Sequence, residues 1–183
     1  MPIFTKKNHE PIFFAHIPKT GGSSVEAMFS QAGYHNGKCG SKGFLNQHAV
    51  AALYTTWDDL PIKKFVIIRE PIARFISELN FKSIRGAQAD QTAKRWFEEY
   101  KKNPTINDNH LRPQVEFIVP GMDLYIFEEG AIKQIAEDYG LKPRHLNIRH
   151  KHTKREDLSE ETIEFLKEFY KEDFKMYEEY KNS

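Results

Sequence analysis

The feature that most constrains this chain is a junction near its start. Ile12-Phe13-Phe14-Ala15-His16-Ile17 is a short, nearly continuous apolar run, and Pro18-Lys19-Thr20-Gly21-Gly22-Ser23-Ser24 follows it directly. A run that is apolar at successive positions predicts a strand buried on both faces, as in a parallel sheet. From Ser23 onward Val25, Met28, Phe29 and Ala32 recur at helical spacing, and Gly33 supplies a stop. Strand, glycine loop and helix in this order place unpaired backbone N–H groups at the positive end of a helix dipole. Gly21 and Gly22 let the backbone approach a ligand with no Cβ in the way. Lys19 adds an ammonium, and Thr20, Ser23 and Ser24 add hydroxyls, so the segment reads as a cradle for a phosphate or sulfate group. A tight turn capped by Ser23 is the plainer alternative, and the flanking strand and helix weigh against it.

Lys64-Phe65-Val66-Ile67-Ile68 predicts a second buried strand ending at Arg69, and Pro71 suits the first turn of a following helix. Ile72, Phe75, Ile76 and Leu79 form its apolar stripe, and at about 100° per residue Arg74 and Ser77 fall on the opposite face. An arginine at a strand's C-terminal edge, with Ser77 on the adjoining helix, can fork onto a second phosphate. A surface arginine paired with Glu70 or Glu78 is the alternative. Both anion sites fall at the C-terminal ends of neighbouring strands, where open α/β sheets bind ligands. The expected ligand therefore carries two separated anionic groups.

The rest of the chain continues the alternation. Helices are predicted from about Thr92 to Lys101, up to Tyr139 before Gly140, and from the N-cap Ser159 with Ile163, Leu166, Tyr170, Phe174 and Tyr177 on one face. Leu124 to Phe127 predicts a third strand. Residues 33 to 47 read as a mobile loop, His48 to Tyr54 as a short helix, and Trp57 and Tyr125 as packing residues. The pattern implies an α/β domain with a central parallel sheet flanked by helices, and 183 residues suit one domain, 1–183. With 27 basic and 26 acidic residues the net charge is +1, so nothing pulls the whole chain toward nucleic acid or a membrane. Any anion site must be local.

The single cysteine, Cys39, excludes an internal disulfide and a cysteine-built zinc site. Met1 to Glu10 holds no signal-like apolar stretch, and no run approaches the roughly 18 apolar residues of a membrane span. A cytoplasmic protein is expected. From Arg144 to Arg155 the chain carries Arg144, His145, Arg149, His150, Lys151, His152, Lys154 and Arg155, read as a solvated loop with closure over an anionic ligand as the alternative.

The cradle does not match the nucleoside-triphosphate loop Gly-x-x-x-x-Gly-Lys-Ser/Thr, because its lysine precedes the glycines. The second strand ends in Arg69 and not in an acid suited to magnesium. His16-Ile17-Pro18-Lys19-Thr20-Gly21-Gly22-Ser23-Ser24 resembles the 5′-phosphosulfate loop of the carbohydrate-type sulfotransferases. Arg69-Glu70-Pro71-Ile72-Ala73-Arg74-Phe75-Ile76-Ser77 resembles their 3′-phosphate motif, with Glu70 in place of an aspartate. Weaker likeness continues in His110 to Gln114, Asp123 to Glu128 and Tyr170 to Phe174.

The resemblance implies a P-loop-like three-layer fold and the donor 3′-phosphoadenosine-5′-phosphosulfate (PAPS), with adenosine 3′,5′-bisphosphate as product and no metal. It implies that Lys19, Thr20, Gly21, Gly22, Ser23 and Ser24 hold the 5′ end, and Arg69 and Ser77 the 3′-phosphate. The acceptor is expected to be a hydroxyl, on a sugar or glycan. Lys19 is the candidate for stabilising the bridging oxygen, and His48 the candidate base, since an imidazole titrates near neutral pH. Related glycan sulfotransferases are similar in carrying a histidine at a comparable place, while a packed histidine is the alternative. His16 is expected to orient the loop, and His110, Arg112 and Gln114 to contact the acceptor. A nucleotide kinase or phosphohydrolase, and a non-catalytic nucleotide-binding homologue, stay open at this point. Nothing in the sequence fixes an oligomeric state.

Overall fold

The computed structural model describes residues 2–38, 48, 50–51, 62–86, 88–146 and 152–182. Five strands form its centre: β1 (Pro2–Thr5), β2 (Ile12–Ala15), β3 (His35–Lys38), β4 (Lys63–Ile68) and β5 (Asp123–Ile126), in the spatial order β3-β1-β2-β4-β5. β2, β4 and β5 are parallel, with Phe14 opposite Phe65 and Ile67 opposite Tyr125. β1 is antiparallel to both β2 and β3, which corrects the expected parallel sheet to a mixed one.

The reason is the connection. Only a short turn joins β1 to β2, with His9 N–H on the Lys6 carbonyl at 3.1 Å, and so short a link returns a chain antiparallel. β3 has the polar sequence His-Asn-Gly-Lys, so no apolar run marks it, and it sits at the sheet edge. The loop expected from residue 33 thus contains a strand. Residues 39–47, 49 and 52–61, which include Cys39, most of the expected short helix and Trp57, lie outside the described residues.

Helices are α1 (Gly22–Gln31), α2 (Pro71–Phe81), α3 (Gln88–Lys102), α4 (Ala131–Asp138), α5 (Glu160–Phe169) and α6 (Lys171–Lys181). Side chains alternate across the parallel strands. Phe14, Phe65 and Ile67 pack with Val25, Met28 and Phe29 of α1 and Ile132 and Ile135 of α4. Phe13, Ala15, Val66 and Ile68 point the other way, onto Phe117 and Tyr177 of α6. Burial on both faces explains the continuous apolar runs. A third cluster joins Ile72, Phe75 and Leu79 of α2 to Trp96 and Phe97 of α3 and Leu166 of α5. No helix among the described residues is long and apolar enough to cross a membrane.

The last helix, expected to be continuous, is two. The backbone leaves helical geometry at Tyr170, φ −101° and ψ 22°, between α5 and α6. Leu166 on α5 belongs to the helical cluster and Tyr177 on α6 to the sheet face, so the break lets one sequence stripe serve two cores. Tyr170 itself is buried, its hydroxyl donating to the Leu111 carbonyl at 2.7 Å.

Candidate functional site

The chain turns at the end of β2. Thr20 Oγ1 donates to the Ile17 carbonyl at 2.9 Å, and the residue is wholly buried. Its hydroxyl ties the turn, which corrects the expectation of a hydroxyl donor and leaves Thr20 only its backbone to offer an anion. Lys19 lies at φ 68° and Gly21 at φ 95°, left-handed positions that reverse the chain into α1. Gly22 admits no side chain, because a Cβ there would lie 2.0 Å from Nε2 of His16. That imidazole is fixed by Glu26 of α1, with Nδ1 and Oε1 2.8 Å apart, so the expected orienting role of His16 has a geometric basis.

α1 begins with no side-chain cap and no acid in its first turn. The N–H groups of its first residues, Gly22 and Ser23, have no preceding turn to bond to, and the dipole there favours an anion. Ser23 is exposed. Ser24 Oγ accepts from the Leu146 N–H at 2.9 Å and keeps its own proton to donate. The Lys19 ammonium lies 3.9 Å from the ring centroid of Phe81, the last residue of α2.

Arg69, just past β4, meets this loop directly. Its Nη1 donates to the Lys19 carbonyl at 3.1 Å, its Nε lies 3.3 Å from Oε1 of Glu128, and its guanidinium stacks 4.4 Å from the Phe127 ring centroid. Burial pulls the guanidinium below its ordinary pKa, and Glu128 opposes that shift. Gln114 clamps the Arg69 backbone on both sides: it accepts from Arg69 N–H at 2.9 Å and donates to the Arg69 carbonyl at 2.8 Å. Gln114 is fully buried. The expected acceptor contact is therefore corrected, since this amide is spent on Arg69. Gln114 is held in turn by the buried Asp173 of α6, whose two oxygens accept from the N–H groups of Gln114 and Val115 at 2.8 and 3.0 Å. Burial raises the Asp173 pKa against the opposing effect of Arg74.

Glu70 caps α2, accepting from Ala73 N–H at 2.5 Å. Ser77 is half-buried on the same helix. Arg74, which periodicity places with Ser77 opposite the apolar stripe, is nevertheless buried, 2% exposed. Its nitrogens donate to the carbonyls of His110 and Arg112 at 3.1 and 2.7 Å, and its guanidinium lies 5.2 Å from the Tyr170 ring centroid. The segment crossing this face of α2 has carbonyls that need donors, and Arg74 supplies them.

Beside the cradle stand three histidines in a row. The His16 and His48 rings are 4.7 Å apart and those of His48 and His110 4.8 Å, both edge to face at 83°. Each holds its own carboxylate at Nδ1: Glu26 on His16, Asp108 on His48 at 2.8 Å, and Glu78 on His110 at 2.7 Å. With a carboxylate accepting at Nδ1, a neutral ring leaves Nε2 as its basic nitrogen. Burial, offset in part by the Asp108 hydrogen bond and reinforced by the flanking histidines, lowers the His48 pKa to about 4. His48 is therefore neutral at pH 7, as a base must be. Phe81 closes the row, its ring 6.3 Å from that of His110.

His110 lies beside His48, whereas the Arg112 guanidinium, expected with it on the acceptor, is turned to Asn109 and Glu116. His48, Asp108 and His110 are the group among the described residues with metal-ligand types close together, all within 4.8 Å. Donor atoms sharing one ion lie roughly 3–4 Å apart given bonds near 2 Å, so this group would have to contract to hold one. From the basic segment, the His152 and Thr153 N–H groups bond Asn80 Oδ1 at 2.7 and 2.8 Å. Residues 147–151, with Arg149, His150 and Lys151, lie outside the described residues.

Asp108 and Phe81 carry no sequence signal of a site, and Glu78 and Glu128 none that ties them to His110 and Arg69. They act as partners of residues far along the chain, and only the Asn107-Asp108-Asn109 run, three successive residues of types tolerant of left-handed backbone, signals a special turn. A family model described as "Sulfotransferase family" matches residues 1–118. No curated protein and no solved structure matches the chain.

Proposed function

This chain belongs to the sulfotransferase family, and from that premise we propose that it moves a sulfuryl group from PAPS to an acceptor hydroxyl on a sugar or glycan. In this reading the chain acts as one P-loop-like domain of the carbohydrate type. The observation that carries it is the Arg69–Lys19 hydrogen bond, which joins the two segments that carry the anion motifs. A donor with phosphates at both the 5′ and 3′ positions suits two adjoining anion sites better than a triphosphate does. The likeness of both motifs to those of glycan sulfotransferases supports the sugar acceptor.

The chemistry follows from the neighbours. The 5′-phosphosulfate rests on the N–H groups opening α1, with Ser23, Ser24 and Lys19 beside it. Arg69 and Ser77 take the 3′-phosphate. The acceptor oxygen attacks sulfur in line, a new S–O bond forms, and the S–O bond to the phosphate breaks. Charge grows on the departing phosphate oxygen, where the Lys19 ammonium and the α1 dipole stabilise it. The acceptor proton passes to Nε2 of His48. His110, next in the row, lines the acceptor side.

The test is turnover with PAPS and a panel of saccharides, read as sulfated product and adenosine 3′,5′-bisphosphate in equal amounts. Magnesium-dependent turnover of ATP with no sulfated product would overturn the reading in favour of a phosphoryl-transfer enzyme.

A further inference from the structure

We propose that Asp108 is the positioning residue of the transfer, fixing the tautomer and direction of the His48 ring from a left-handed turn built for that purpose. The inference rests on reading His48 as the base. Three successive residues that are not glycine, Asn107, Asp108 and Asn109, have φ of 52°, 56° and 64°. L-residues avoid this region, and three in a row persist only where the surroundings hold them there.

The holding contacts are specific. Asn109 Nδ2 donates to the His48 carbonyl at 2.7 Å, and Asn109 Oδ1 accepts from Arg112 Nε at 3.0 Å. The N–H groups of His110 and Arg112 bond the carbonyls of Asn107 and Asn109 at 3.2 and 3.1 Å. The turn therefore grips His48 twice: Asn109 holds its backbone and Asp108 its Nδ1. One residue of slip would lose both. Arg112, expected to touch the acceptor, acts here as a brace for Asn109.

The groups facing His48 are the imidazoles of His16 and His110 and the Asp108 carboxylate. Behind them stand Glu26 on His16 and Glu78 on His110. Asp108 is thus the one carboxylate bonded to the His48 ring among the described residues. An acceptor at Nδ1 keeps the proton there and leaves Nε2 bare to take a proton from the acceptor hydroxyl, the division of labour seen in nucleophile–His–Asp sites. Without it the ring can carry its proton on Nε2, where it cannot act as base.

Two measurements on the full chain test this. Long-range proton–nitrogen NMR of the histidine rings at neutral pH should show His48 protonated on Nδ1 in the wild type and on Nε2 in a substantial fraction of Asp108→Asn. In the same variant kcat should fall roughly a hundredfold or more, with the affinity for adenosine 3′,5′-bisphosphate within about twofold of wild type. Wild-type His48 protonated on Nε2 would overturn the proposal even if the variant does not fold. So would Asp108→Asn with unchanged kcat, or an equal loss of donor affinity. If the wild type transfers no sulfate to any acceptor, the base assignment fails while the tautomer result still decides what Asp108 does to the ring.

Discussion

Arg69 donates from Nη1 to the main-chain carbonyl of Lys19 at 3.1 Å, across 50 residues of sequence. The bond ties the end of β4 to the loop after β2, neighbours in the parallel part of the sheet. It also fixes the loop at the left-handed lysine, so the arginine shapes the loop as well as carrying the charge that the proposed function assigns to a second phosphate. Gln114 and Asp173 hold Arg69 from behind, and a chain of buried polar contacts runs from α6 to the cradle.

Gln114→Ala should therefore weaken donor binding through Arg69, whose backbone Gln114 holds on both sides. The change removes two hydrogen bonds and leaves the Arg69 backbone groups without them, costing about 1–3 kcal/mol. Calorimetric affinity for adenosine 3′,5′-bisphosphate should fall while the Asp108–His48 tautomer stays as in wild type. Unchanged affinity would show that Arg69 keeps its place unaided.

Gly22→Ala should be severe, since its Cβ would fall 2.0 Å from the His16 ring. In a His16→Ala background the same change should cost far less. A double-mutant cycle by urea denaturation should show strong coupling, on the order of 1 kcal/mol or more. Additive costs would mean that the ring is not what excludes a side chain.

His48 carries a pH signature. Its pKa is lowered from 6.5 to about 4, first by burial. Between those values the unfolded chain binds a proton that the folded chain refuses, so this residue's contribution to stability is present above pH 6.5 and is lost as pH falls toward 4. The slope is at most about 1.4 kcal/mol per pH unit. Urea titrations at several pH values should show a steeper acid loss in wild type than in His48→Gln. Parallel curves would contradict the burial of a neutral imidazole. His48→Ala should also cut turnover roughly a hundredfold or more with donor saturating.

Much of this was legible in the residues. The apolar runs at 12–17 and 64–68 marked buried parallel strands because both faces of β2 and β4 are covered. The glycine loop and Arg69 stood out because their chemistry needs particular residue types in order. β3 was hidden by its polar edge composition, and the burial of Arg74 by its place opposite the apolar stripe of α2, on a face that a distant segment covers. The carboxylates on the three histidines were hidden too. Each pairing joins residues separated by 10, 60 or 32 positions, a relation that local pattern cannot carry.

Lys19→Ala should reduce kcat beyond its effect on donor affinity, because the ammonium is assigned to the charge that grows on the leaving oxygen. Phe81→Leu removes the ring over which that ammonium lies and should shift turnover in the same direction but far less. A loss of affinity alone in Lys19→Ala would make the lysine a binding group only.

The most direct test of the two-phosphate site is isothermal titration of the wild-type chain with adenosine 3′,5′-bisphosphate and with 5′-AMP, both without magnesium. Charge-assisted hydrogen bonds from Arg69 and Ser77 to the 3′-phosphate predict tighter binding of the bisphosphate by about tenfold to a hundredfold. Equal affinities would contradict the account, because the second anion site would then hold nothing.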